Sequence, residues 1–365
     1  MIGNQDHQSG IVFFLLVLIV LCPSMGFPGE KQRPVENSSA AVSTARTIIY
    51  YNDKTITVPH KITRVASGWP AQNSVIAMLG YGDKIVATYD MIKASPIFAK
   101  FVPGIRNAVV SFTSSGELNI ESLVQAKPDV VFGIEAGTTS GQFRRLEDMG
   151  IPVAYLKGNS LPNLVDRAVI TGQILGDDAH RRALHYVNYY AENVRRVGRR
   201  VAKIPPTQRI KVYHSIGNPL MTHGSPSLVQ DWMAVAGVIN IARDWNLINP
   251  RTSGRANTNL EQIIAGNPAA IVCMYAADAQ TIKTDARWSA IRAVRDGKVY
   301  VNPKGMFWWC RETTEEALQF LWLAKTVYPE YFKDIDMAEE TKHFYKTFYG
   351  FDLSDEDVQL FLYPK

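Results

Sequence analysis

The sequence predicts an α/β protein: two Rossmann-like α/β lobes joined by a single long helix, with a ligand cleft between the lobes. Two observations carry this. Residues 177–203 place Ala179, Ala183, Val187, Tyr190, Val194, Val197 and Val201 at steps of 4, 4, 3, 4, 3 and 4. That is one face of a 3.6-residue period, and six arginines and two histidines occupy the remaining positions. Flanking this stretch is a repeat. Residues 119–132 read NIESLVQAKPDVVF and residues 259–272 read NLEQIIAGNPAAIV, aligned without a gap, with a proline seven positions after each glutamate. Each copy reads as a short helix, a proline-marked turn and a buried parallel strand, so each belongs to its own lobe.

Composition sets the outer bounds. A hydrophobic content of 46% and a charged content of 20% are ordinary for a soluble globular protein, and 365 residues can hold two domains. The net charge of +5 is mild and no basic patch is interleaved with aromatics, which argues against nucleic acid as a partner. Residues 11–21 are an apolar run too short to span a bilayer. It fits the hydrophobic region of a signal peptide, with small residues at Ser24 and Gly26. Cys22 opens the alternative of a lipid anchor, although Leu21 is large for that motif and no Lys or Arg precedes the apolar run. The expected organisation is a signal peptide (1–26), a Pro- and Ser-rich tether (27–46), an N-terminal lobe (47–176), the interlobe helix (177–203), a C-terminal lobe (204–335) and a helical extension (336–365). The extension is expected to pack on a lobe.

In chain order, 47–58 reads as a hairpin turning at Asn52 and Asp53. Strands follow at 64–67, 84–88, 109–112, 130–132 and 153–155, alternating with helices. Asp177 and Asp178 suit the positive end of the long helix, and Pro205 and Pro206 stop it. At 1.5 Å per residue this helix spans about 40 Å. Beyond it, strands are expected at 209–214, 269–273 and 298–301, an aromatic loop at 305–311 and an amphipathic helix at 312–328. Cys273 and Cys310 read either as a disulfide or as two buried thiols.

Ligands of open α/β sheets collect at the carboxyl ends of the strands. Those ends carry Trp69, Tyr89, Ser114, Ser115 and Glu135 in the first lobe. In the second they carry His214, Tyr275, Trp308, Trp309 and Arg311. An aromatic-rich set with one firm cation suits a sizeable, partly apolar, anionic ligand. The chain has no nucleophile elbow, no phosphate-binding glycine loop, no dinucleotide fingerprint and no Cys/His zinc spacing, so it reads as a binder with no catalytic residues, no resident metal and no cofactor.

Further residues carry a resemblance. Pro59 with Arg64-Val65-Ala66, the run LGYGDKIVA at 79–87, the segments 120–123 and 128–131, 236–242, and 322–330 together resemble the iron-chelate (siderophore or haem) and cobalamin binding proteins of ABC importers, the class with a rigid interlobe helix. The likeness extends over about 47–332. Two features depart from it: Val238 stands where the family has a second glycine, and Trp308-Trp309-Cys310 is unusual. The resemblance implies a cleft with little hinge motion and one surface glutamate per lobe docking on arginines of the membrane permease. The matching positions are Glu121 and Glu261. It implies an exported monomer, periplasmic or on the outer face of the membrane, that delivers a metal chelate, a ferric siderophore-type complex first among them. Arg311 would then be the countercharge, Tyr89, His214 and Tyr275 would touch the metal centre or its chelator, and Trp69, Trp308 and Trp309 would form stacking walls. The alternatives are a haem, cobalamin or bare metal-ion receptor of the same fold, or a two-lobed chelatase- or reductase-like enzyme.

Overall fold

The computed structural model describes residues 45–51, 53–114, 116–135, 140–247 and 254–365. The expected signal peptide, Cys22 and nearly all of the tether lie outside these residues, as does Ser115. The strands are β1 (Ala45–Tyr50), β2 (Lys54–Pro59), β3 (Val65–Ser67), β4 (Ile85–Tyr89), β5 (Val109–Phe112), β6 (Val130–Ile134), β7 (Val153–Leu156), β8 (Lys211–Ser215), β9 (Met221–His223), β10 (Ile239–Asn240), β11 (Arg255–Asn257), β12 (Ala270–Cys273) and β13 (Val299–Val301). β1 begins two residues inside the segment read as tether.

The N-terminal lobe is a five-stranded parallel sheet in the order β5-β4-β3-β6-β7. β3 and most of β6 are buried residue after residue, as strands covered by helices on both faces must be. The β1-β2 hairpin closes the β7 side: the backbone N–H groups of Tyr155 and Lys157 donate to the hydroxyls of Tyr50 and Tyr51. Arg46 donates to the carbonyls of Gln173 and Ile174, two otherwise open acceptors at the end of helix Leu161–Leu175. The C-terminal lobe holds a parallel sheet in the order β10-β8-β12-β13 and a small antiparallel pair, β9 with β11.

The interlobe helix is Asp177–Val201 and runs unbroken through Gly198. Gly176, at φ +130°, lets the chain reverse directly out of the preceding helix. The expected apolar face is buried except that Tyr186 takes the place given to Val187, which is only half-buried. The face is wider than a single stripe because the C-terminal extension covers it from a second side.

That extension departs from expectation. Its helices, Met337–Tyr349 and Asp355–Leu362, lie across both lobes and the interlobe helix rather than on one lobe. Phe348 packs on Tyr186 and Tyr189 of the interlobe helix. Phe101 of the N-terminal lobe is surrounded by Tyr345, Tyr349, Phe351 and Phe361, and Lys100 reaches Asp357 at 2.5 Å. Tyr349 donates to the carbonyl of Ser74 in one lobe and shares a hydrogen bond with Thr314 of the other. One core therefore runs from lobe to lobe, and the long helix is not the sole connection.

Candidate functional site

Parallel strands preceded by helices present their carboxyl ends and the helix N-termini on the same edge. The strand ends of both sheets and the two glutamates of the repeat therefore share one side of each lobe. Glu121 and Glu261 are exposed, each in the first turn of a short helix, Ile120–Gln125 and Leu260–Gly266. The capping asparagines, Asn119 and Asn259, each accept the backbone N–H three residues on, both at 2.8 Å.

In the N-terminal lobe the strand-end groups are already engaged. Tyr89 stacks on Phe112 at 5.4 Å, and burial beside Asp90 raises its hydroxyl pKa. Asp90 is partly desolvated, but donation from Ser114 and from the Met91 N–H outweighs this and holds its pKa below the usual carboxylate range. Glu135 sits between Lys54 at 2.6 Å and Lys157 at 3.6 Å. Trp69 is 6% exposed, and its ring packs under the Arg167 guanidinium at 4.3 Å. A Cβ on Gly158 would lie 2.1 Å from the same ring, so only glycine leaves room for it. Trp69 was expected to be a stacking wall. Its face is occupied by Arg167 instead.

The C-terminal lobe differs. His214 is fully buried on β8, edge-on to Trp232 at 5.4 Å and 5.9 Å from the ring of His223 on β9. Both His214 ring nitrogens and Nδ1 of His223 lack a hydrogen-bond partner among the described residues. Burial, with the charges of His223 and Arg311, pushes the His214 pKa far down. Burial, with Arg311 and Arg255, pushes that of His223 to about 3. Both imidazoles are therefore neutral and offer N–H donors as well as lone pairs. Arg311 is half-buried beside them, its Nε 3.3 Å from Glu312.

The aromatic loop separates its two tryptophans. Tyr275 is 36% exposed and meets Trp308 edge-on at 5.5 Å, with the Lys304 ammonium 4.3 Å over the Trp308 ring. Trp309 turns inward, its backbone N–H bonded to the Pro303 carbonyl, and is fully buried, with its indole N–H unpartnered among the described residues. It was expected to be a stacking wall, but a ring with no exposed surface presents no face to a ligand. Glu315 holds the loop in place. Its Oε1 accepts from the Met306 N–H at 2.7 Å and the Tyr345 hydroxyl at 2.6 Å, and its Oε2 accepts from Thr313 and Thr314. Cys273 and Cys310 are free, buried thiols pushed up to about 12 by desolvation. No group of three or more His, Cys, Asp or Glu side chains that could hold a metal ion occurs among the described residues.

Sequence reasoning missed His223, Arg167 and Arg255. His223 sits in a three-residue strand with no periodicity to mark it. Arg167 left a usable trace, being three residues after Leu164 and four before Thr171 on the apolar side of its helix. A cation within an apolar stripe signals a polar site behind it.

Two α/β lobes around one rigid helix, with a donor-rich strand-end site, define a two-lobed solute-binding protein. The chain belongs to the periplasmic binding protein family, whose model matches residues 65–305. Its relatives are solute-binding proteins of ABC transporters, not enzymes. It is 25% identical over 356 residues to the molybdate-binding protein MolA of Haemophilus influenzae, spanning 92% of this chain and 95% of that one. It is 26% identical over 198 residues to the vitamin B12-binding protein of Salmonella paratyphi A, spanning 53% and 67%. Among solved structures, MolA bound to molybdate aligns with a TM-score of 0.74 at 23% identity, over 85% of this chain and 99% of that one. Helicobacter pylori CeuE with Ni(II) bound aligns with a TM-score of 0.71 at 18% identity, over 87% and 100%. Family membership implies an extracytoplasmic location, and no helix of the described residues is long and apolar enough to cross a membrane.

Proposed function

We propose that this protein captures a compact anionic metal species, of which an oxometalate such as molybdate is the type, and delivers it to an ABC importer permease. The observation that carries this is the C-terminal lobe's cluster of Arg311 with two buried, neutral histidines, of which both His214 ring nitrogens and Nδ1 of His223 lack partners among the described residues. Buried polar groups without partners are costly, and an oxyanion accepting from Arg311 and from the one N–H of each neutral imidazole lowers that cost. A relative spanning nearly the whole chain is named for molybdate. A second reading, the ferric siderophore-type chelate, is favoured by the exposed edge-on pair of Tyr275 and Trp308, which offers an aromatic face to a larger ligand. In either case Glu121 and Glu261 dock on basic pockets of the permease, one per lobe, and the protein works as a monomer.

The test is a tryptophan-fluorescence and calorimetric titration of the exported chain with sodium molybdate, sodium tungstate, ferric siderophores, haem, cobalamin and free metal ions. One-to-one binding of an oxometalate below about 1 μM, roughly −8 kcal/mol, is the expected result. Saturation by a ferric chelate with no response to oxometalates would replace the first reading by the second.

A further inference from the structure

Arg167 is the only arginine or lysine that is fully buried among the described residues, at 1% exposure. It reaches from helix Leu161–Leu175 into the seam between the lobes, where Nη2 donates to the backbone carbonyl of Glu312. Its Nε and Nη1 are buried without a hydrogen-bond partner, and it forms no ion pair among the described residues. Trp69, wedged against Gly158, holds the guanidinium from one face. Desolvation lowers its pKa only to about 10, so it remains a cation. A buried guanidinium without a carboxylate partner is costly, and one backbone carbonyl and one aromatic face offset that cost only in part.

The charge balance of the seam points the same way. Arg167 and Arg311 both meet Glu312, one at its backbone oxygen and the other at its carboxylate. Only Arg311 therefore meets the carboxylate. The next carboxyl, Glu316, is fully buried. It accepts from Tyr190 through Oε2, and burial raises its pKa well above the usual carboxylate range. One positive charge is left without a counterion, and it belongs to a residue from the lobe opposite Arg311.

We propose that Arg167 is a ligand-binding cation, so that the bound solute is a tetrahedral dianion gripped across the seam by Arg167 and Arg311. This rests on the oxyanion reading above and narrows it. A small oxyanion can accept from the open N–H groups of Arg167 and from Arg311 together, whereas a bulky chelate does not reach the buried nitrogens of Arg167. In this arrangement Trp69 positions Arg167 and makes no contact with the solute.

The experiment is calorimetric titration of the exported chain with sodium molybdate, tungstate and sulfate, comparing wild type, R167M and R167K, with ligand-free melting temperatures measured alongside. The expected result is at least a thirtyfold loss of molybdate affinity in R167M, with the ligand-free melting temperature unchanged or raised because an uncompensated charge has been removed. R167K should lose about tenfold and keep its dependence on salt. Molybdate binding by R167M within threefold of wild type would overturn the proposal. So would a lowered ligand-free melting temperature in both variants with unchanged affinity, which would make Arg167 a structural tie. If R167M does not fold, R167K decides alone: affinity within twofold of wild type overturns the proposal. Silence of the wild type toward all three dianions, with a response to a ferric chelate, defeats the oxyanion reading itself, and this inference with it.

Discussion

In the N-terminal lobe the repeat runs from the Asn119 cap through helix Ile120–Gln125 and a left-handed Lys127 to Pro128 and β6. In the C-terminal lobe it runs from the Asn259 cap through helix Leu260–Gly266 and a left-handed Asn267 to Pro268 and β12. β6 lies between β3 and β7, and β12 between β8 and β13, so the copies occupy matching places in their sheets. The strand ends do not match. Those of the first lobe carry a stacked tyrosine and carboxylates already satisfied by Ser114 or by lysines. Those of the second carry His214, His223 and Arg311 with hydrogen-bonding capacity left open. The frame depends on apolar pattern and caps, so it tolerates any rim chemistry, and the two lobes carry different groups on the same edge.

Four measurements would break or sharpen this comparison. The largest effect tests what the lobes share. Charge reversal at both repeat glutamates (E121K with E261K) should reduce uptake in a reconstituted transporter to background while leaving solute affinity unchanged, because two exposed carboxylates read the spacing of two basic pockets. Uptake at the wild-type rate would remove the docking role. The next tests what they do not share. R311A should weaken solute binding by roughly a hundredfold, within the range for truncating a buried charged contact, whereas Y89F in the other lobe should stay within threefold. Equal losses from the two would erase the asymmetry.

The third concerns the seam. Asp231 accepts the Leu161 N–H across it at 3.1 Å, and burial raises its pKa to about 6. The folded state thus holds a proton that the unfolded chain releases near pH 4. This contribution is present below about pH 4 and is lost as pH rises through 6. D231N keeps the acceptor oxygen and removes the ionisation. It should therefore gain up to about 3 kcal/mol over wild type at pH 7.5 and nothing at pH 4, as read by denaturant melts at both pH values. A gain independent of pH would assign the effect to something other than this carboxyl. The smallest effect tests the equivalence of the repeats: N119A and N259A should each cost about 1 kcal/mol, and a twofold difference between them would mean that the copies are not structurally equivalent.

Much of this was legible from local pattern. The apolar spacing from Ala179 to Val201 made the helix, the repeat made the lobes, and strand-end positions marked His214, Tyr275 and Arg311. The failures share a cause. Trp309 and Trp308 are neighbours in a loop, and no periodicity tells which of two adjacent tryptophans turns inward; the fold buries Trp309. Trp69 lost its role as a wall to a guanidinium from a helix nearly a hundred residues later in the chain. The extension was legible as helical from its aromatics. That Phe101 would be their partner in the far lobe was not.

Periodicity, capping residues and proline placement act within a few residues, so the chain carries its helices, its strands and its two-lobed plan in local form. Which groups face one another across the seam depends on packing between segments more than a hundred residues apart. Arg167 against Glu312 and Tyr349 against Ser74 became neighbours only when both lobes closed on the shared core. Burial then did what no sequence position could announce: it pushed the histidine pKa values down and left two nitrogens of Arg167 without a partner among the described residues.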